Sequence, residues 1–196
     1  IVGLLFFLLF SYQTFFIYVK PNEVAIKQVK IGINRGIQEK VYTTGIHLVI
    51  PGINLFHVFP KDLQVFDLSR IQNQTSSRFI DKSAHIQTSD GFYVDVELSI
   101  IFKIVDAFKV IKTIGPGDLF FLNGILPKTE PVLKETLGKL TTEEFYNPYL
   151  RVEKMNEAKD KLNAELNEKG IAVEQVLIRY FKYSDEIQRN IEEKKL

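Results

Sequence analysis

Three histidines, His47, His57 and His85, are the side chains best suited to hold a metal or shuttle a proton, and each stands alone. None has another histidine or a carboxylate at metal-ligand spacing, so a structural or surface role is expected for each. Asp95 and Glu97 lie two residues apart, which a strand turns into a carboxylate pair on one face. Their expected partners are lysine or arginine across a sheet, not a reacting substrate. Gly115-Pro116-Gly117-Asp118 lacks the Lys-Ser/Thr of a phosphate loop and reads as a turn, and no Gly-x-Ser-x-Gly elbow occurs. Asn73-Gln74-Thr75 is formally a glycosylation sequon, a triplet that chance supplies often. The expectation is a protein with no catalytic, cofactor-binding or metal site.

The elements that would position these residues begin with a long uncharged stretch. Residues 1–19 carry no charge, and thirteen of them are Leu, Ile, Val or Phe. As a helix they would span roughly 28 Å, close to the ~30 Å hydrocarbon core of a bilayer. A transmembrane anchor built on Leu4, Leu5, Phe6, Phe7, Leu8, Leu9, Phe10, Phe15 and Phe16 is therefore expected, closed by Lys20-Pro21. A signal peptide would end in small residues where this chain has Phe15-Phe16-Ile17-Tyr18, and a buried core helix is seldom apolar all round. Both remain as lesser alternatives. Lys20 alone sets no orientation across the membrane.

The remainder is balanced in charge, 25 basic against 24 acidic residues overall, which excludes the basic surplus of a nucleic-acid binder. Without cysteine there is neither a disulfide framework nor a thiolate metal site. Residues 23–31, 37–42, 46–50 and 63–68 read as short strands separated by Gly32, Gly36, Gly45 and Pro51-Gly52. Residues 70–83 are polar and read as a connector. Asp90-Gly91 is a turn between two extended segments. In the second of these, Val94, Val96, Leu98, Ile100, Phe102 and Ile104 share one face, the mark of a half-buried strand.

Leu133, Leu137 and Leu140 then repeat with helical spacing, and Thr141 and Glu144 are placed for a capping box. A second helix over 149–169 buries Met155, Ala158, Leu162 and Leu166 and stops at Gly170. A strand over 171–183 and a last helix from Ser184 follow. Ile1 in place of Met, and a final helix with no stop signal, lead to the expectation that the natural protein extends both ways. The predicted class is α+β. It comprises an anchor (1–19), a first β-rich part (20–82), a second α+β part (83–183) and the start of a long coiled-coil-like helix (184–196).

These pieces, in this order, resemble a known family. Asn22-Glu23-Val24-Ala25-Ile26 after the apolar segment is followed by Gly45-Ile46-His47-Leu48-Val49-Ile50-Pro51-Gly52, then Phe59-Pro60 and Leu63-Gln64-Val65-Phe66-Asp67. Thr88-Ser89-Asp90-Gly91 leads to Ile101-Phe102-Lys103-Ile104-Val105-Asp106; Leu137-Gly138-Lys139-Leu140-Thr141 and Gly170-Ile171-Ala172-Val173-Glu174 close the series. Together they are similar to the SPFH, or band 7, proteins (stomatin, prohibitin, flotillin, HflK/HflC). Lys103 stands where many members carry Arg, and the cysteine that some stomatin-like members palmitoylate is missing.

The resemblance implies a non-enzymatic membrane scaffold that gathers copies of itself or a paralogous SPFH subunit into a ring, cage or microdomain. It lies on the lipid bilayer of a bacterial inner membrane or an organelle, and can surround an FtsH-type AAA+ membrane protease. The alternative is a single-pass regulatory module acting on a channel or transporter as a small oligomer. Two sets of residues suit such roles. Ile53, Leu55 and Phe56 are expected either to dip into lipid or to cap the β core, and Ile187 and Ile191 either to pair with neighbouring helices or to lie on a solvated one.

Overall fold

A computed structural model describes residues 12–71 and 76–183, together with Ile187 and Arg189. Residues 12–15 are helical, and a strand, β1 (Phe16–Val19), follows at once. The helix expected to run to Val19 therefore ends at Phe15, because residues 16–19 pair with β4 (Gly45–Leu48). No helix among the described residues is long and apolar enough to cross a membrane. Of the expected anchor residues, Leu4 to Phe10 fall outside the described residues; Phe15 and Phe16 are exposed.

β2 (Glu23–Val29) is the middle strand of an antiparallel trio, between β3 (Gly36–Tyr42) and β5 (Asn54–Pro60). The trio and the β1–β4 ribbon share a small core of Val19, Ala25 and Phe56, with Ile17, Tyr42, Val49 and Val58 around it. Sequence reading leaves residues 54–60 outside any strand. They form one because Asn54, Phe56 and Phe59 are buried while β5 pairs with β2 along its whole length.

The second sheet is built on β9 (Tyr93–Ile104), the strand whose alternation is plainest in the sequence. Val94, Val96, Leu98, Ile100, Phe102 and Ile104 are all buried, each contributing roughly 1.5–3 kcal/mol of transfer free energy. β8 (Ala84–Gln87) and β6 (Gln64–Ser69) pair with β9 on one side and β10 (Ile171–Tyr183) on the other, all antiparallel. β7 (Arg78–Asp81) extends the sheet parallel to β6, inside the stretch read as a connector; four residues are too few to show a period. β6 and β7, grouped by sequence with the first part of the chain, thus hydrogen-bond into the sheet of the second.

Two helices, α2 (Leu126–Leu137) and α3 (Pro148–Leu166), cover the inner face of this sheet, while α1 (Ala107–Thr113) packs against β2 and β3. Asp106 caps α1 by accepting the Lys109 N–H at 3.0 Å, and Asn147 caps α3 through Tyr149 N–H. The capping box forms reciprocally: Thr141 N–H donates to Glu144 Oε2 at 2.9 Å, and Glu144 N–H to Thr141 Oγ1 at 3.2 Å. Gly170, at φ +85°, ends the helical run in the left-handed region. On the far side of β10, Asn163 of α3 accepts the Val173 N–H and donates to its carbonyl, both at 2.8 Å, and so covers part of that edge.

Candidate functional site

The three histidines each have a local partner. His47 Nε2 lies 2.8 Å from the Thr43 carbonyl, with its ring stacked on Phe56. His57 Nε2 lies 2.7 Å from Gln28 Oε1; burial, reinforced by the Lys30 charge, holds its pKa below the ordinary imidazole value. His85 Nδ1 meets Asp95 Oδ1 at 2.8 Å and stacks on Tyr93. Among the described residues no three His, Cys, Asp or Glu side chains converge as a metal site.

Asp95 and Glu97 do share the outer face of β9, where the register sets Lys182 of β10 opposite Asp95. Asp95 meets His85, and Glu97 accepts from Ser69 Oγ at 2.6 Å. Sequence reading missed the acidic residue that matters most to this face. Asp67 of β6 is 1% exposed and accepts hydrogen bonds from Ser99 Oγ at 2.5 Å, Arg179 Nη1 at 3.0 Å and Ser76 Oγ. Every oxygen of this buried carboxylate is engaged, which suits a structural clasp rather than a proton donor. Gly115-Pro116-Gly117-Asp118 is a turn, and Asp118 holds Arg78 Nη2 at 2.5 Å.

The surface that stands out is apolar. Register places Phe16 opposite Leu48 and Tyr18 opposite Ile46, so these four side chains share the outer face of the β1–β4 ribbon. Their exposures run from 41% to 56%, while Val19 on the other face is buried. Tyr12 stacks on Phe16 at 5.5 Å between ring centroids. The strip continues through Ile50 into the turn before β5, where Ile53 is also exposed, as is Leu55 at the start of β5. Phe56 is the correction: at 7% exposure it lies in the small core, edge-on to Tyr42, and is not available to lipid. The alternation Phe16-Ile17-Tyr18-Val19 against Ile46-His47-Leu48 was the signal for this face, masked in the sequence by its continuity with the apolar run before it. Ile187 leans on the main core of its own chain, and Ile191 falls outside the described residues.

No curated protein matches the chain. The model of the SPFH domain / Band 7 family matches residues 17–196, and the mixed α+β architecture of antiparallel sheets with packed helices fits that domain. The chain therefore belongs to the SPFH domain / Band 7 family, whose members are generally membrane-associated and of the scaffold type.

Proposed function

We propose that the protein is a scaffold held at a bilayer by its N-terminal apolar segment and by the outer face of the β1–β4 ribbon, where copies of it, or of a paralogous subunit, assemble into a ring or cage-like microdomain. Its role there is to organise the membrane around a partner such as an AAA+ membrane protease. The observation that carries this reading is the row Phe16, Tyr18, Ile46 and Leu48. It is apolar and exposed, and the strand that carries Phe16 and Tyr18 directly follows the uncharged residues 1–15. A contiguous exposed apolar strip costs free energy in water and is relieved by hydrocarbon. Side-by-side packing then turns weak contacts into a stable assembly, because each subunit is already confined to the membrane plane.

The test is membrane flotation followed by sizing of the detergent-solubilised, native-length protein. The expected result is a floating protein that elutes as a multi-subunit particle, with flotation weakened when Tyr18, Ile46 and Leu48 are all changed to Ser. A protein left in the aqueous fraction would end the membrane reading, and a stable monomer the assembly reading.

A further inference from the structure

The turn between β2 and β3 carries Ile31, 66% exposed, and Ile33, fully exposed. Ile33 buries nothing in this chain, and Ile31 leaves most of its surface uncovered. Gln38 holds the turn in shape, its Nε2 donating to the Asn34 carbonyl at 2.8 Å. Lys30 and Arg35 flank the two isoleucines, are exposed, and form no ion pair among the described residues. The Lys30 N–H donates to the Ile53 carbonyl at 2.7 Å, which sets this turn beside the turn of Ile50 and Ile53. Val49 N–H in turn donates to the Phe15 carbonyl at 2.7 Å. The tip, the ribbon end and the exit of the N-terminal apolar segment thus lie at one end of the small β module.

Away from the tip the charges of this module are balanced. At the far end of β2, Glu23 pairs with Lys20 at 3.5 Å, and Asp62 adjoins Lys61. Seven strand residues span roughly 23 Å, several Debye lengths at physiological salt. Glu39, nearer the tip, adjoins Lys40. The tip itself carries only Lys30 and Arg35.

From this juxtaposition we propose that the β2–β3 turn is a second lipid contact, in which Ile31 and Ile33 enter the leaflet while Lys30 and Arg35 bind anionic headgroups. The contact rests on the membrane reading above and adds to it a preference for negatively charged lipid. Apolar tips with basic shoulders combine hydrocarbon burial with headgroup attraction, and neither side chain has to give up an internal partner to do so.

The chain contains no tryptophan, so Ile33→Trp places a single indole at the tip. The full chain carrying it is mixed with phosphatidylcholine vesicles with or without phosphatidylglycerol, and flotation reports whether it is bound. In anionic vesicles the emission is expected to move to shorter wavelength and to be quenched by brominated acyl chains. Both effects are smaller in pure phosphatidylcholine or at high salt. Adding Lys30→Gln and Arg35→Gln lowers the inserted-to-free ratio about 30-fold, from ~1 kcal/mol per basic residue. Tyr149→Trp on α3 serves as the reference that stays open to aqueous iodide. A floating protein whose tip indole remains open to iodide, or inserts equally in both lipids, overturns the proposal alone. Failure to float overturns it together with the membrane reading.

Discussion

Asp67 and Arg179 are 112 residues apart in sequence, yet the guanidinium stands 3.0 Å from the carboxylate across the outer face of the main sheet. Between them runs β9, whose Ser99 donates to the same carboxylate. Three strands are thereby tied at one point. Arg179→Ala leaves the buried Asp67 charge with hydroxyl partners only, and is expected to cost about 2–3 kcal/mol. Asp67→Asn is milder, because the amide keeps partners on Ser99 and Ser76. Urea midpoints with an unchanged m-value are the measurement; equal losses for the two variants would contradict the clasp.

Gly170→Ala is expected to cost about 2–4 kcal/mol. A Cβ at φ +85° is strained, and here it would also fall 2.3 Å from the Asp106 carbonyl. The Gly170 carbonyl also accepts the N–H groups of Val105 and Asp106, so the end of β9, the start of α1 and the start of β10 shift together. Thermal unfolding of the variant reads the loss.

Asn163→Ala removes both hydrogen bonds to Val173 and is expected to cost about 1–3 kcal/mol. It also uncovers part of the β10 edge, so concentration-dependent aggregation should rise beyond what the stability loss explains. Asn163→Asp is informative, since a carboxylate can accept the Val173 N–H but repels its carbonyl. Light scattering at matched fractions unfolded separates the two effects.

His57 gives stability a pH dependence of definite sign. Its folded pKa lies below the unfolded value of 6.5, through burial first and the Lys30 charge second, so the unfolded chain takes up the proton earlier. Its contribution is fully present above about pH 6.5 and is lost as pH falls through the folded value. Lys30→Gln should raise the imidazole pKa and shrink that loss, as followed by NMR titration of His57 and by urea midpoints at about pH 7.5 and about pH 5.5.

What the sequence disclosed depended on how many residues carried each pattern. Twelve residues of β9 and nineteen of α3 showed their periods clearly, and the capping box at Thr141 and Glu144 formed as its spacing foretold. β10 was recognisable as a strand although its buried and half-buried inward residues run Ile171, Val173, Val176, Ile178, Phe181, Tyr183, in steps of two and three. Each step of three coincides with a register shift against β9, at Glu174 and at Arg179. Hidden altogether were features made by distant residues: β7 on β6, the partners of Asp67, and the placing of Phe56 in the core while Ile53 and Leu55 stay outside. The change from helix to strand at Phe16 was concealed because lipid-like composition runs through both.

The position of β9 also dictates an order of events during synthesis. Its partners β6 and β8 leave the ribosome before or beside it, whereas β10 emerges only after the three helices. Until then one long flank of the central strand has no backbone neighbour, and the core lacks Ile171, Val173, Val176 and Tyr183, which β10 supplies. Nascent chains are consequently most prone to mispairing in the interval between residues 105 and 183, when chaperone protection matters most.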